Sequence, residues 1–449
     1  MKQVLSPLMS KSKIIVIAGT TGVGKSKLAV ELALKFNGEI INSDSMQVYK
    51  GIPIISNKHP VAERKGVPHH VMDFVPWNEE YFLHRFETDA LSCIDDILRR
   101  GKLPIIVGGT HYYLQCLFNK LIVDSEESEN GATGKLSAAE QAVLDSGDKN
   151  LVYETLKKVD PEIAARYHPN DTRRVRRMLE IYYRNKGLKP SDVFAKQDKS
   201  LRYDTLFFWI YCESDALNKR LDERVDDMIA GGAINEINEL FSYYTENKLS
   251  IDKCENGVWQ IIGFKEFLPW LLKEPKANLN DCIDKMKLRT RQYAKRQVKW
   301  IQKMLIPDVN GDIYLLNATN LSNWGKLVCD RAVRISEQFL NDKGPETRSI
   351  MEPHAPAGLE SLISKQETVD KKLGLGGSHK HYTCEICRDA QDEPLIAIGE
   401  RNWQIHLKSR RHRSNLTRGQ KKEQYMKWKE QQEQKRGSTE PLPQGQKVV

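Results

Sequence analysis

No apolar stretch in the 449 residues is longer than the seven of Leu206–Cys212, whereas a membrane span needs about 18 to 20. No early apolar segment carries a signal-peptide cleavage pattern. The expectation is therefore a chain that neither crosses a membrane nor is secreted. Cysteine is sparse. Six of the eight are scattered singly (Cys93, Cys116, Cys212, Cys254, Cys282, Cys329), which excludes a disulfide framework and fits a reducing compartment. Acidic residues are scarce at the two ends. The first is Glu31, and residues 378–449 hold 9 against 15 Lys plus Arg, so +6 of the net +9 lies in the last sixth of the chain. Such a local excess is the electrostatic footprint of a polyanion partner or of a solubilising tail. The remainder, 40% hydrophobic and 29% charged, forms a core, and at about 150 residues per domain the length suggests two to four domains.

Lys13–Gly19 reads as a β-branched strand, Ser26–Phe36 as a helix with Leu28, Leu32 and Phe36 on one stripe, and Glu39–Ser43 as a second strand. Tyr81–Arg100 is a helix stopped by Gly101, and Leu103–Val107 returns as a buried strand. Strands alternating with helices predict a parallel α/β sheet. The polar segment 124–134 opens a helical insertion, 124–203, whose periodic face includes Val175, Met178, Leu179 and Tyr182. Leu206–Cys212 resumes the sheet as a third or fourth core strand. The predicted organisation is a core of residues 1–123 and 204–340, the insertion, a Pro- and Gly-bearing linker over 341–378, a finger over 379–418 and a basic polar tail over 419–449.

Gly19-Thr20-Thr21-Gly22-Val23-Gly24-Lys25-Ser26 fits G-x-x-x-x-G-K-[ST] between a strand and a helix. Glycines let backbone N–H groups curl around phosphate oxygens, Lys25 neutralises them, Ser26 reaches a Mg²⁺, and the helix N-terminus adds positive potential. Where nucleotide hydrolysis needs an Asp at a strand end, Leu103–Val107 runs into Gly108-Gly109-Thr110-His111. The strand-end carboxylate is instead Asp44, and position alone leaves it open between Mg²⁺ ligand and general base. Arg220 and Arg224 share one flank of a helix with apolar stripe Leu217, Leu221, Val225 and Met228. They suit an anion, or they pair with Asp222, Asp226 or Asp227 as a solvated face. Residues 281–304 interleave eight Lys and Arg with Tyr293 and Trp300. That pattern fits either nucleic acid or a basic helix packed on its own domain.

Cys384-x2-Cys387 and His406-x5-His412, separated by 18 residues, supply the two thiolates and two imidazoles of a structural Zn²⁺ site. The gap exceeds the ~12 residues of DNA-reading fingers and is similar to RNA-associated fingers. Tyr382 and Trp403 are expected in its small core. His379 and His381 are substitute ligands, and Lys408, Arg410, Arg411 and Arg413 form a basic face.

The segments GTTGVGKS, NSDSMQVY, VGGTHYYLQ (107–115), NDTRRVRRMLEIY (170–182), LNKRLDERVDDM (217–228), GVWQIIGFKEF (257–267) and TRQYAKRQVKW (290–300) stand in an order and spacing that resembles the tRNA dimethylallyltransferases over residues 13–305. The finger is similar to the eukaryotic, fungal type. The resemblance implies transfer of a dimethylallyl group from its diphosphate to N6 of the adenine 3′-adjacent to the anticodon, in tRNAs reading codons that start with U. It implies Asp44 as general base, Thr21 at the bridging oxygen, and Arg220 beside Arg224 and the loop on the diphosphate. Ser45, Met46, Gln47, Thr110, Gln260 and Lys265 would meet the tRNA, as would the insertion through Arg173, Arg174, Val175, Arg176 and Arg177. Mg²⁺ would accompany the diphosphate, and the chain is expected to be a monomer. Two readings compete: a P-loop nucleotide or nucleoside kinase, and a non-catalytic RNA-binding finger protein. The cationic first thirty residues, with Ser6 and Ser10, resemble a short mitochondrial presequence that a start at Met9 would mostly remove. The expected location is cytoplasmic, with mitochondrial and nuclear pools.

Overall fold

The computed structural model describes residues 11–118, 136–196, 200–250, 254, 256–341, 353–363, 379–389 and 392–437. Most of the predicted linker, the segment 124–134, the end of the tail and the first ten residues of the cationic N-terminal stretch lie outside these residues.

Six parallel strands form one sheet: β1 (Lys13–Gly19), β2 (Gly38–Asn42), β3 (His69–His70), β4 (Leu103–Val107), β5 (Asp204–Tyr211) and β6 (Tyr314–Asn317), in the order β3-β2-β4-β1-β5-β6. The central strands are apolar on both faces because helices cover both, as a parallel sheet requires. Along β1, Ile14, Val16 and Ala18 enter one core, while Ile15 and Ile17 enter the other. On the second face lie α1 (Lys25–Lys35) and, much later in the chain, the helix Asp330–Leu340. The first face receives α2 (Leu83–Arg99), whose buried stripe Phe86, Ala90, Ile94 and Ile97 follows the predicted period. The strand expected third or fourth is the fifth in sequence. The two residues of β3 pair at the sheet edge with Ile40 and Ile41, and a pair of histidines leaves no period-2 signal to read.

After β5 come α8 (Ser214–Ala230), α9 (Ala233–Glu246), α10 (Phe264–Leu271) and α11 (Leu279–Trp300). Part of the segment read as linker packs on this unit: the Leu315 N–H donates to the His354 carbonyl at 2.7 Å, and Ala355 is buried.

The second unit joins the insertion and the finger. Helices α3 (Ala138–Asp145), α4 (Lys149–Val159), α5 (Pro161–Ala165), α6 (Thr172–Arg184) and α7 (Pro190–Ala195) close around Val152, Leu156, Ile163, Val175 and Leu179. Their starts are encoded locally. Ser137 and Glu140 form a capping box, and Asp160 caps α5 ahead of Pro161. The finger is an antiparallel hairpin, β7 (His381–Arg388) with β8 (Pro394–Ile398), followed by helices Glu400–Leu407 and Arg410–Gly437. Its hairpin docks on the insertion through Lys149–Glu393 at 2.8 Å and His381 Nε2 to the Ala165 carbonyl at 3.0 Å.

Candidate active site and metal centre

The glycines of the turn from β1 into α1 leave no room for a side chain. Gly24 has φ +87°, and a Cβ there would lie 2.5 Å from Cη2 of Trp324. The Lys25 ammonium donates to the Thr20 carbonyl at 2.6 Å. Burial lowers its pKa to about 8, with Asp44 opposing that shift and Arg224 adding to it.

Asp44 follows β2 and stands against the loop that follows β4. Gly108 is required there, because a Cβ would overlap the Ser43 carbonyl. Oδ1 of Asp44 accepts the Met46 N–H at 3.0 Å, and Oδ2 lies on the Gly109 side. Burial raises the Asp44 pKa above the ordinary value, while the Met46 N–H, Lys25 and Arg224 hold it back. The Thr110 hydroxyl donates to Ser45 Oγ at 3.0 Å and accepts the Ser45 N–H at 3.0 Å.

Asp44, Ser45 and Thr110 share one cavity of about 480 Å³ with Thr21 of the phosphate loop. Thr21, Asp44, Ser45, Met46, Thr110, Arg224 and Gln260 line it, together with the apolar Val225, Met228, Ile261, Ile262 and Met286. One end is therefore cationic and hydroxylic, and one wall suits a hydrocarbon. Several buried polar atoms without a partner gather at the loop end. Thr20 Oγ1 belongs to the loop, Arg224 Nε to the residue bonded to Thr21, and Trp324 Nε1 to the indole over Gly24. Groups left unmet in this way cost about 1–3 kcal/mol each, which is characteristic of a site shaped for a polar ligand.

The two arginines of α8 part company. Arg224 donates to Thr21 Oγ1 at 2.9 Å and lines the cavity. Arg220 instead donates to the carbonyls of Ala318, at 2.7 Å, and Thr319 beyond β6. Their acidic neighbours bind elsewhere, Asp222 to Arg291 and Asp226 to Lys287. Those pairs settle part of the basic helix α11: Lys287 and Arg291 serve its own domain, and Tyr293 and Trp300 face the cavity. Gln47 is buried with its amide on the Asn57 carbonyl at 2.9 Å, and Lys265 lies in the first turn of α10; neither lines the cavity.

In α6, Arg173 is exposed, Arg174 pairs with Asp171, Arg177 pairs with Glu180 at 3.0 Å, and Arg176 donates to the Ser146 carbonyl at 2.6 Å. Val175, expected beside them as a tRNA contact, instead buries its side chain in the core of the insertion, where helical spacing turns it away from the arginine face.

Sequence reasoning missed Gln297, whose amide joins two loops. Its Oε1 accepts the Thr21 N–H at 2.8 Å, and its Nε2 donates to the Gly109 carbonyl at 2.7 Å. Gln297 lies in the segment TRQYAKRQVKW that carries the resemblance, but a Gln on a basic helix shows no chemistry of its own; the packing of α11 against the two loops gives it this role.

In the finger, the ligand atoms of Cys384, Cys387, His406 and His412 all lie within 4.8 Å of one another. The His412 Nδ1 stands 3.5 Å from Cys384 Sγ, 3.6 Å from Cys387 Sγ and 3.2 Å from His406 Nε2. A tetrahedral Zn²⁺ separates sulfur from nitrogen by about 3.5 Å and two nitrogens by about 3.3 Å, so the donor set is compatible with zinc. Tyr382 stacks on Trp403 with centroids 5.7 Å apart, forming the expected small core. His381 points to the insertion and is no substitute ligand.

The IPP transferase family pattern matches residues 47–304. The chain belongs to that family. It is 58% identical over 424 residues to the tRNA dimethylallyltransferase of Saccharomyces cerevisiae, covering 94% of this chain and 96% of that protein. Against the human tRNA dimethylallyltransferase it is 31% identical, covering 90% and 85%. A solved structure of a eukaryotic dimethylallyltransferase acting on tRNA superimposes with a TM-score of 0.84 at 56% identity, over 93% of this chain and all of that one. The relatives give no support to the kinase or the non-catalytic reading.

Proposed function

We propose that this chain is a tRNA dimethylallyltransferase. It moves a dimethylallyl group from dimethylallyl diphosphate to N6 of the adenine 3′-adjacent to the anticodon, in tRNAs reading codons that start with U, and releases diphosphate. The observation that carries this reading is the meeting of a phosphate loop and a lone buried carboxylate, Asp44, in one cavity with an apolar wall. A hydrolase would need a carboxylate at the end of β4; here two glycines occupy it.

An adenine flipped out of the anticodon loop presents its N6 amine to Asp44. The amine nitrogen forms a bond to C1 of the dimethylallyl group as the C1–O bond to the diphosphate breaks, and its proton passes to the Asp44 carboxylate. The electron pair leaves with the diphosphate, which Lys25, Arg224 and the loop N–H groups stabilise. Because Thr21 Oγ1 already accepts from Arg224, its hydroxyl proton is free to turn to the bridging oxygen. Arg220 supports the diphosphate site from beside it. The Ser26 hydroxyl would hold a Mg²⁺ bound with the diphosphate, which would supply further charge neutralisation. Zn²⁺ at the four finger ligands is structural. Ser45, Met46, Gln47, Thr110, Gln260 and Lys265 belong on the anticodon-loop side, and the arginines of α6 and the basic finger grip tRNA phosphates. We further assign the chain a cytoplasmic location with mitochondrial and nuclear pools; imaging forms that lack Met1 or Met9 tests this, and identical distributions would contradict it.

Incubating the protein with labelled dimethylallyl diphosphate and unmodified tRNA, and separately with labelled ATP, tests the activity. Label entering tRNA as a modified adenosine is the expected result. Label transferred from ATP to a nucleoside or nucleotide, with none entering tRNA, would overturn it.

A further inference from the structure

The loop that follows the Asp44 turn gives the cavity a polar side chain that the chemistry above does not use. Ile55, Ser56 and Asn57 line the same cavity as Thr21 and Asp44. Both backbone groups of Asn57 are taken: its N–H donates to the Ile54 carbonyl at 2.9 Å, and its carbonyl accepts the Gln47 amide at 2.9 Å. What Asn57 offers the cavity is therefore its side-chain amide, which is exposed and has no hydrogen-bond partner among the described residues. Two other amides line the cavity, Gln260 and Gln297. Gln297 is committed to the Thr21 N–H and the Gly109 carbonyl, and Gln260 is engaged as well.

The loop around Asn57 is held in place from outside. The buried Glu236 of α9 accepts the Ile54 N–H at 2.9 Å and the Ile55 N–H at 2.8 Å. The buried Lys58 donates to the Tyr49 carbonyl at 2.5 Å and pairs with Asp73 at 2.8 Å. Gln47 supplies the tie that matters for the chemistry, because its own N–H donates to the Asp44 carbonyl at 3.2 Å while its amide holds Asn57. One residue thus joins Asn57 to the turn that carries Asp44. An open amide on a braced loop, beside the carboxylate that meets the adenine amine, is placed to read the rest of that base.

We propose that Asn57 reads the target adenine, its Nδ2 donating to a ring nitrogen beside the exocyclic amine, N1 or N7, and its Oδ1 accepting the N6 hydrogen that the transfer leaves in place. The inference rests on the reading of Asp44 as the acceptor of the other N6 hydrogen. An amide suits adenine because each presents a donor next to an acceptor at matching spacing. Asn57 also has φ +54°, a conformation in which Asn is enriched among non-glycine residues, so backbone geometry is a second reason for Asn here. Glycine separates the two reasons: it takes this conformation freely and lacks the amide. Aspartate keeps the shape and lacks the donor.

Steady-state transfer by the full-length protein tests it, using wild type, Asn57→Gly and Asn57→Asp on tRNA that carries adenosine, 1-deazaadenosine or 7-deazaadenosine at the target position. The expected result is a kcat/KM for adenosine tRNA about tenfold lower in both variants, with the KM for dimethylallyl diphosphate unchanged. One of the two analogues should then slow the wild type about tenfold more than it slows either variant, which has no bond left to lose; the analogue that does so names the nitrogen read. Equal slowing of wild type and variants by both analogues overturns the proposal. So does wild-type kcat/KM in Asn57→Gly, which would leave Asn57 a turn residue, or a loss carried by the KM for dimethylallyl diphosphate, which would place it at the other substrate. If neither variant folds, the wild-type protein decides alone: transfer slowed by less than about twofold with both analogues is below the worth of one hydrogen bond and overturns the proposal. Should the wild type fail to modify the adenosine tRNA itself, the transferase reading falls first and this inference with it.

Discussion

At the scale of single residues the site is decided by which atoms are left without partners and which positions admit no side chain. Gly24 is a sharp case, since its φ of +87° disfavours any other residue and the indole of Trp324 blocks a Cβ. Gly24→Ala is expected to displace the loop or Trp324, destabilise the fold by about 1–3 kcal/mol, and abolish pyrophosphate binding. Denaturant unfolding and calorimetric titration with pyrophosphate check both, and an intact affinity would show that the loop can shift without cost. The buried His111 bears on acid stability. Its folded pKa is near 3 and its unfolded value about 6.5. Above pH 6.5 neither state holds the proton. Below it the unfolded chain takes one up and the folded chain does not, so stability falls as pH drops from 6.5 toward 3, by about 1.4 kcal/mol per unit. The stability difference between wild type and His111→Phe should therefore change by about 2 kcal/mol between pH 6.5 and 5; parallel curves would contradict the buried neutral imidazole.

At the scale of elements, legibility followed periodicity and motif. β1, α1, α2 and β4 carry strong patterns within one segment, and the loop between β1 and α1 has a spacing that only phosphate binding explains, so all of these could be read from the sequence. Three features could not. β3 is two residues long. Arg220 and Arg224 sit one turn apart on the same flank of α8, and only the third-dimensional neighbours, the carbonyls past β6 for one and Thr21 for the other, separate them. The third is α11, whose basic side chains invite a nucleic-acid reading although Arg291 and Lys287 neutralise acids of α8. Gln297 of α11 bridges the two loops. Gln297→Leu would leave the Thr21 N–H unmet and the Gly109 carbonyl with only the Tyr293 hydroxyl at 3.3 Å, costing about 1–3 kcal/mol for the unmet group. It should slow transfer at saturating substrates about 10-fold or more by loosening Thr21. Unfolding curves and single-turnover rates measure the two effects, and a rate unchanged within twofold would remove Gln297 from the positioning of the loop.

At the scale of the whole molecule, the chain divides the labour between a unit that holds the cavity and a unit that joins the helical insertion to a finger with zinc-compatible ligands. Deleting residues 379–449 leaves the phosphate loop, Asp44 and the α6 arginines in place. The shortened chain should bind tRNA more weakly, with a dependence of log affinity on log salt made shallower in proportion to the number of tRNA phosphates that the finger neutralises, and should keep measurable transfer. An unchanged salt slope would take the finger out of the tRNA interface. The central claim, however, is that one carboxylate set against a phosphate loop performs the transfer. Single-turnover transfer of labelled dimethylallyl from its diphosphate to unmodified tRNA, with Asp44→Ala beside wild type at saturating tRNA, tests this most directly. The account predicts that the variant binds tRNA and pyrophosphate normally but transfers about 10²- to 10⁴-fold more slowly; transfer within a few-fold of wild type would contradict it.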